Sequence, residues 1–174
     1  MGRYHNIVLV GFMGTGKTTV GKLIAERLGW RFADTDALIA ARSGRSVQMI
    51  FSEDGEAIFR ELESAVCVEV SNWRRTVIAT GGGSWIAPAN RDVLCSTGFA
   101  VCLRAPLEQI EARLLESDDV RPLLSAPDRR QRIADLMSAR SAIYDTVPRA
   151  VDTGGLTPYA VCDKVIALWR AANG

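Results

Sequence analysis

Gly11-Phe12-Met13-Gly14-Thr15-Gly16-Lys17-Thr18 spells G-x-x-x-x-G-K-[ST], a pattern suited to holding phosphate. Glycines let the backbone wrap a phosphate with its N–H groups turned inward, and a helix starting at Gly16 adds its positive end. Lys17 brings a cation to the β- and γ-phosphates, and the Thr18 hydroxyl suits a Mg²⁺ shell that otherwise keeps its waters. A glycine-rich turn with a solvent-facing lysine is the bland alternative. A strand expected before the pattern and a helix expected after it argue for the nucleoside triphosphate site.

Three further segments offer chemistry. Asp34-Thr35-Asp36 puts two carboxylates two residues apart at the end of an expected strand, beside the phosphate loop. One could support Mg²⁺ while the other faces an acceptor hydroxyl, although Asp36 could equally cap the helix that follows. Phe51 to Glu63 holds Phe51, Phe59 and Leu62, which could be plain core, and Arg60, which could be a surface charge paired with Glu56 or Glu63. Gly81, Gly82 and Gly83 follow a buried-looking strand, and three glycines cost more entropy than a turn requires. Close approach of a ligand to bare backbone would explain them.

The elements that must position these residues alternate between strand-like and helical. Strands are expected at 6–10, 30–33, 76–79, 99–103 and 150–152, and helices at 17–28, 36–42, 57–73, from Pro106, at 129–144 and at 158–172. That alternation predicts a three-layer α/β domain around a mainly parallel sheet. The stretch 116–130 differs: Pro122 and Pro127 break it, and it carries Asp118, Asp119, Arg121, Asp128, Arg129 and Arg130. It reads first as a solvated surface segment and second as a loop closing over a ligand.

Composition narrows the class. The 174 residues carry 21 Lys plus Arg against 20 Asp plus Glu, a net charge of +1 that leaves no electrostatic footprint for nucleic acid. No apolar run is long enough to span a bilayer, and the first residues lack a secretory signal pattern, so a cytoplasmic domain is expected. Cys67, Cys95, Cys102 and Cys162 are scattered with no C-x-x-C pair, arguing against zinc or a disulfide framework. His5 is the single histidine, which makes a Ser-His-Asp mechanism improbable.

Taken in order, GFMGTGKTT, DTD, FSEDGEAIFRELE, ATGGG, RPLL and Arg140-x-x-x-Tyr144 resemble shikimate kinase over nearly the whole chain. The resemblance implies a fold of the nucleoside monophosphate kinase type: a mainly parallel five-stranded sheet with helices on both faces and a mobile lid. It implies one domain over 1–174, with the phosphate loop at 11–18, an acceptor-binding region at about 35–63 and the lid at about 114–127. The activity it implies is transfer of the γ-phosphoryl group of ATP to the 3-hydroxyl of shikimate, with Mg²⁺, by a monomer, on the route to chorismate and the aromatic amino acids.

The same resemblance gives residues their expected roles. Gly14, Thr15, Gly16, Lys17, Thr18 and Thr19 would bind ATP, Thr18 and Asp34 would serve Mg²⁺, and Asp36 would meet the shikimate hydroxyls and take the proton. Arg60 and Arg140 would grip the shikimate carboxylate, Gly82 and Gly83 would lie beneath it, and Phe51 and Phe59 would pack against the ring. Arg121 in RPLL would close onto the ATP phosphates. Lys17, Asp36 and Arg121 are thus the expected catalytic residues.

The chain departs from the family in places. An adenine-stacking arginine often sits seven residues before the lid arginine; here that place is Leu114, with Arg113 beside it, and Pro158 is the expected other wall of the base site. Residues 116–119 are more acidic than in many relatives. Trp85 either lines the acceptor pocket or fills core. A gluconate-type kinase would share the phosphate loop but leave the paired arginines and the triple glycine unexplained. A non-catalytic nucleotide-binding module would be expected to have lost one of these charged residues.

Overall fold

Short runs of β-branched and aliphatic residues, bounded by turn residues, suit strands covered on both faces. Asn6–Val10 (β1) is buried at every residue, as is Thr76–Ala79 (β3). Arg31–Asp34 (β2), Gly98–Arg104 (β4) and Ala150–Asp152 (β5) complete one sheet in the order β2-β3-β1-β4-β5, every pair parallel. The computed structural model describes residues 4–116 and 128–174.

Eight helices are described: Lys17–Leu28 (α1), Thr35–Ser43 (α2), Val47–Glu53 (α3), Gly55–Ser71 (α4), Pro88–Thr97 (α5), Leu107–Glu116 (α6), Arg129–Tyr144 (α7) and Pro158–Asn173 (α8). Alternate residues of β1 point to opposite faces, as strand geometry dictates. Ile7 and Leu9 pack with Val20 and Ile24 of α1 and Val161 and Val165 of α8. Val8 and Val10 pack with Phe59 and Val66 of α4, Leu94 of α5, Ile110 of α6 and Ile133 of α7. The result is three layers around the sheet, the expected architecture. At about 1.5–3 kcal/mol for each fully buried large aliphatic side chain, these two cores supply the main drive to fold.

Two helices were not legible as sequence patterns. α3 has only seven residues, too few for a stripe, and is started by Ser46, whose hydroxyl accepts the Met49 N–H at 3.1 Å. α5 opens on Pro88 and turns a polar residue, Asn90, into the interior beside Leu94, so its buried face does not read as apolar. The helix expected over 57–73 runs instead over Gly55–Ser71, and Arg75, with φ 54°, turns the chain into β3.

Strand order reverses between β1 and β3. From β1 the chain crosses to β2, and from β3 it crosses back over β1 to β4. In open parallel sheets a crevice opens at such a point, outside the carboxyl ends of the strands. The phosphate loop leaves β1 there, Asp34 ends β2, and the three glycines leave β3.

Candidate active site

The loop after β1 closes on itself before it can meet a ligand. Gly11 has φ 142°, and a Cβ there would overlap the Leu103 carbonyl oxygen of β4, so no side chain fits. The Thr15 hydroxyl, 1% exposed, donates to the Phe12 carbonyl at 2.8 Å. Thr15 therefore braces the loop with its side chain. Lys17 Nζ donates to the carbonyls of Gly11 and Phe12, both at 2.8 Å, which lays the ammonium group across the loop. α1 starts at Gly16 without a side-chain cap, leaving its first N–H groups to the loop interior.

Thr18 and Asp34 meet although 16 residues separate them: the Thr18 hydroxyl donates to Asp34 Oδ2 at 2.8 Å. Asp34 Oδ1 accepts the N–H groups of Asp36 and Ala37 at 3.1 and 3.3 Å, capping α2. The cap suspected at Asp36 is thus made by Asp34, because a cap residue must precede the helix and accept from its first turn. That leaves the Asp36 carboxylate to lie over Gly81, where a Cβ would overlap its Oδ1. Thr35, 0% exposed, accepts the Gly81 N–H at 2.9 Å and fixes the glycine turn to the start of α2.

Each glycine of the turn serves a different neighbour. Over Gly83 lies Arg60, whose two terminal nitrogens a Cβ would meet, one of them at 2.7 Å. Gly82 stands between the phosphate loop and α7: a Cβ there would sit 3.7 Å from the Met13 nitrogen and 3.6 Å from Arg140 Nη1. Consecutive Cα atoms are about 3.8 Å apart, so Asp36, Arg140 and Arg60 converge on adjoining residues of one turn. The glycines make room for these side chains as well as for any ligand.

Arg60 satisfies both pairings open to it. Nη1 donates to Glu63 Oε2 at 2.8 Å, while Nε and Nη2 reach Glu56 Oε1 at 3.2 and 3.1 Å. Burial works against its charge, but Glu63 and Glu56 more than restore it, and Arg60 stays cationic with a pKa above the usual arginine value. Its guanidinium also lies over the rings of Phe59 and Phe51. Phe59 is 3% exposed and belongs to the core, whereas Phe51 stacks on it at 4.5 Å and reaches the surface. Arg140 donates to the Gly82 carbonyl at 3.4 Å, and Tyr144, one turn later on α7, donates to the same oxygen at 2.6 Å.

Cys67 on α4 is fully buried in the core. Burial, with the nearby carboxylates of Glu63 and Asp36, pushes its thiol up to about 12, so it behaves as a small apolar filler. Trp85 also fills core: it is 2% exposed, and its indole N–H donates to Thr146 Oγ1 at 3.2 Å.

On the other flank, Thr18, Thr19 and Pro158 line one groove of about 340 Å³ with Lys22, Leu23, Glu26 and Tyr159. Tyr159, 61% exposed, was missed; an aromatic residue directly after the proline was its only signal. Leu114 is buried against Gly14, and Arg113 supplies the guanidinium nearby. Arg113 Nη1 donates to the Gly14 carbonyl at 3.1 Å and to Thr153 Oγ1 at 3.3 Å, tying α6 to both the phosphate loop and the segment before α8. Arg121, expected on the lid, lies outside the described residues, as does most of the lid range 114–127.

Comparison with known proteins follows the same lines. The family model for shikimate kinase matches residues 13–170. A shikimate kinase of Geobacter sulfurreducens is 49% identical over 166 residues, covering 95% of this chain and 91% of the relative. Among solved structures, the shikimate kinase from Acinetobacter baumannii in complex with shikimate superimposes with a TM-score of 0.90 at 36% identity, covering 97% of this chain and 94% of that one. A gluconokinase from Sinorhizobium meliloti, at TM-score 0.63 and 16% identity over 99% of this chain and 95% of its own, shares the fold alone. The chain belongs to the shikimate kinase family.

Proposed function

We propose that this chain transfers the γ-phosphoryl group of ATP to the 3-hydroxyl of shikimate, releasing ADP and shikimate 3-phosphate. One observation carries the reading: a Cβ at Gly82 would sit 3.7 Å from the Met13 nitrogen of the phosphate loop and 3.6 Å from Arg140 Nη1, with Asp36 and Arg60 over its two neighbours. A phosphate donor and a small anionic acceptor would then lie on either side of a single turn.

Lys17 neutralises charge on the β- and γ-phosphates, and Gly14, Thr15, Gly16, Lys17, Thr18 and Thr19 supply the N–H groups around them. Pro158 lines the groove, and by resemblance to the family it and Arg113, which braces the Gly14 carbonyl, are assigned to the base. Thr18 and Asp34 suit Mg²⁺, since a hydroxyl and a carboxylate oxygen 2.8 Å apart are hard donors that two adjoining coordination positions or their waters could use. When bound, Mg²⁺ supplies charge neutralisation on the phosphate oxygens.

Arg60 and Arg140 grip the acceptor carboxylate, with Gly82 and Gly83 beneath and Phe51, backed by Phe59, beside the ring. Planar charge-assisted pairing of this kind favours a carboxylate over a neutral polyol. Asp36 accepts the hydrogen bond of the 3-hydroxyl and takes its proton as the new O–P bond forms and the bond from Pγ to the β–γ bridging oxygen breaks. Arg121 is assigned to the phosphates by resemblance to the family. We read residues 1–174 as one domain, with the phosphate loop at 11–18, the acceptor region at about 35–63 and the lid at about 114–127. It would act as a monomer in the cytoplasm. Among the described residues, no helix is long and apolar enough to cross a membrane.

The test is the product. Incubation with Mg·ATP and shikimate, followed by phosphorus and proton NMR, is expected to show one new phosphomonoester on C3. A phosphate on another hydroxyl, or inorganic phosphate alone, would refute the reading.

A further inference from the structure

We propose that Ser84 and Tyr144 are positioning residues that fix the two arginines of the carboxylate clamp to one short turn. The inference rests on the assignment of Arg60 and Arg140 to the acceptor carboxylate. Glu63 shows why Ser84 matters. Its carboxylate is 1% exposed and has two buried oxygens to satisfy, yet Arg60 reaches only Oε2. Ser84 Oγ donates to Oε1 at 2.6 Å. Ser84 is itself 0% exposed, its N–H donates to the Gly81 carbonyl at 3.1 Å, and its carbonyl accepts from Asn90 Nδ2 at 3.1 Å. The hydroxyl is therefore anchored to the glycine turn and holds the carboxylate that holds Arg60. Without it, Oε1 loses its donor in a buried site, and the carboxylate is free to rotate away from the guanidinium.

Tyr144 does the same for the other arginine. At 2.6 Å its hydroxyl is the short bond to the Gly82 carbonyl, and the Arg140 contact to that oxygen is long, 3.4 Å. The two residues stand four apart on α7 and share a face, so docking Tyr144 sets the height of Arg140 above the turn. Burial pushes the phenol pKa up, so its hydroxyl is a donor at neutral pH as an ordinary tyrosine's is. Both tethers end within residues 81–84. The separation of the two guanidinium groups thus follows from one rigid segment, and planar recognition of a carboxylate is sensitive to errors of that separation.

The test compares shikimate with its methyl ester, which lacks the anionic carboxylate, using Ser84→Ala and Tyr144→Phe. In each variant the kcat/KM preference for the acid over the ester is expected to fall about tenfold, the size expected from losing one buried hydrogen bond. KM for ATP is expected to stay within about twofold, since the hydrogen bonds of Ser84 and Tyr144 described above go to Glu63, Asn90 and the glycine turn rather than to the phosphate loop. Equal loss on acid and ester, or equal rises of both KM values with a lowered Tm, would overturn the inference and leave a structural role only. Should Ser84→Ala fail to fold, Tyr144→Phe, which removes a single oxygen, decides alone. A wild-type enzyme that showed no preference for the acid would refute the clamp itself, and this inference with it.

Discussion

Lys17 is held by carbonyls five and six residues before it, whereas Tyr144 is held by a carbonyl 62 residues before it. The nucleotide half of the site is mostly a local device: one loop, closed by Thr15 on Phe12 and continued directly into α1. The acceptor half is assembled across the fold from α2, α4, the glycine turn and α7. The halves also treat charge differently. The loop relies on backbone N–H groups and one lysine, while on the acceptor side Arg60 is held by the buried carboxylate of Glu63 and the exposed one of Glu56, and Arg140 reaches the Gly82 carbonyl. A local device is damaged by changing its own residues; an assembled one can be damaged from several elements at once.

The largest effect is expected in the nucleotide half. Lys17→Met should lower kcat by about 10³-fold with Tm nearly unchanged, because the lost charge acts on the transferring phosphoryl group. Steady-state kinetics with a thermal melt checks this, and substantial residual turnover would remove Lys17 from its role. Next, Arg60→Ala should raise KM for shikimate by about 10²-fold while KM for ATP moves less than about twofold. It should also lower Tm, since the carboxylate of Glu63 stays buried with one cation fewer.

Two glycine substitutions sharpen the contrast within the acceptor half. Gly83→Ala pushes on the end of Arg60, so KM for shikimate should rise about tenfold with kcat little changed. Gly81→Ala pushes on the Asp36 carboxylate, so the main loss should be in kcat, by a similar factor. Reversal of that split would contradict the placement of the two side chains. The smallest change is expected for Arg113→Ala. Its guanidinium braces the Gly14 carbonyl from α6, and its loss should raise KM for ATP about threefold with shikimate unaffected.

The same contrast explains what could be read from the sequence. The phosphate loop, the five strands and six of the eight described helices were legible because their information is local: an eight-residue pattern, buried apolar runs, and helical stripes ended by residues such as Gly29. Arg60, Asp36 and Arg140 could be named from the family's ordered motifs, but nothing in their spacing shows that they meet over consecutive glycines. Glu63 could be named only as a helical partner of Arg60 and Ser84 carried no signal, since a glutamate on a helix and a serine after glycines look like surface residues; both are buried, at 1% and 0% exposed. Asp34 shows the limit from the other side. One residue both caps α2 and meets Thr18, so the structural and functional readings were never exclusive.

The central claim is that one turn sets an anionic acceptor against the phosphate loop, and the most direct test is ADP release from Mg·ATP with shikimate, with gluconate and with no acceptor. The account predicts rapid release with shikimate, and release near the no-acceptor level with gluconate. Release with gluconate and not with shikimate, or the same slow release in all three, would contradict it.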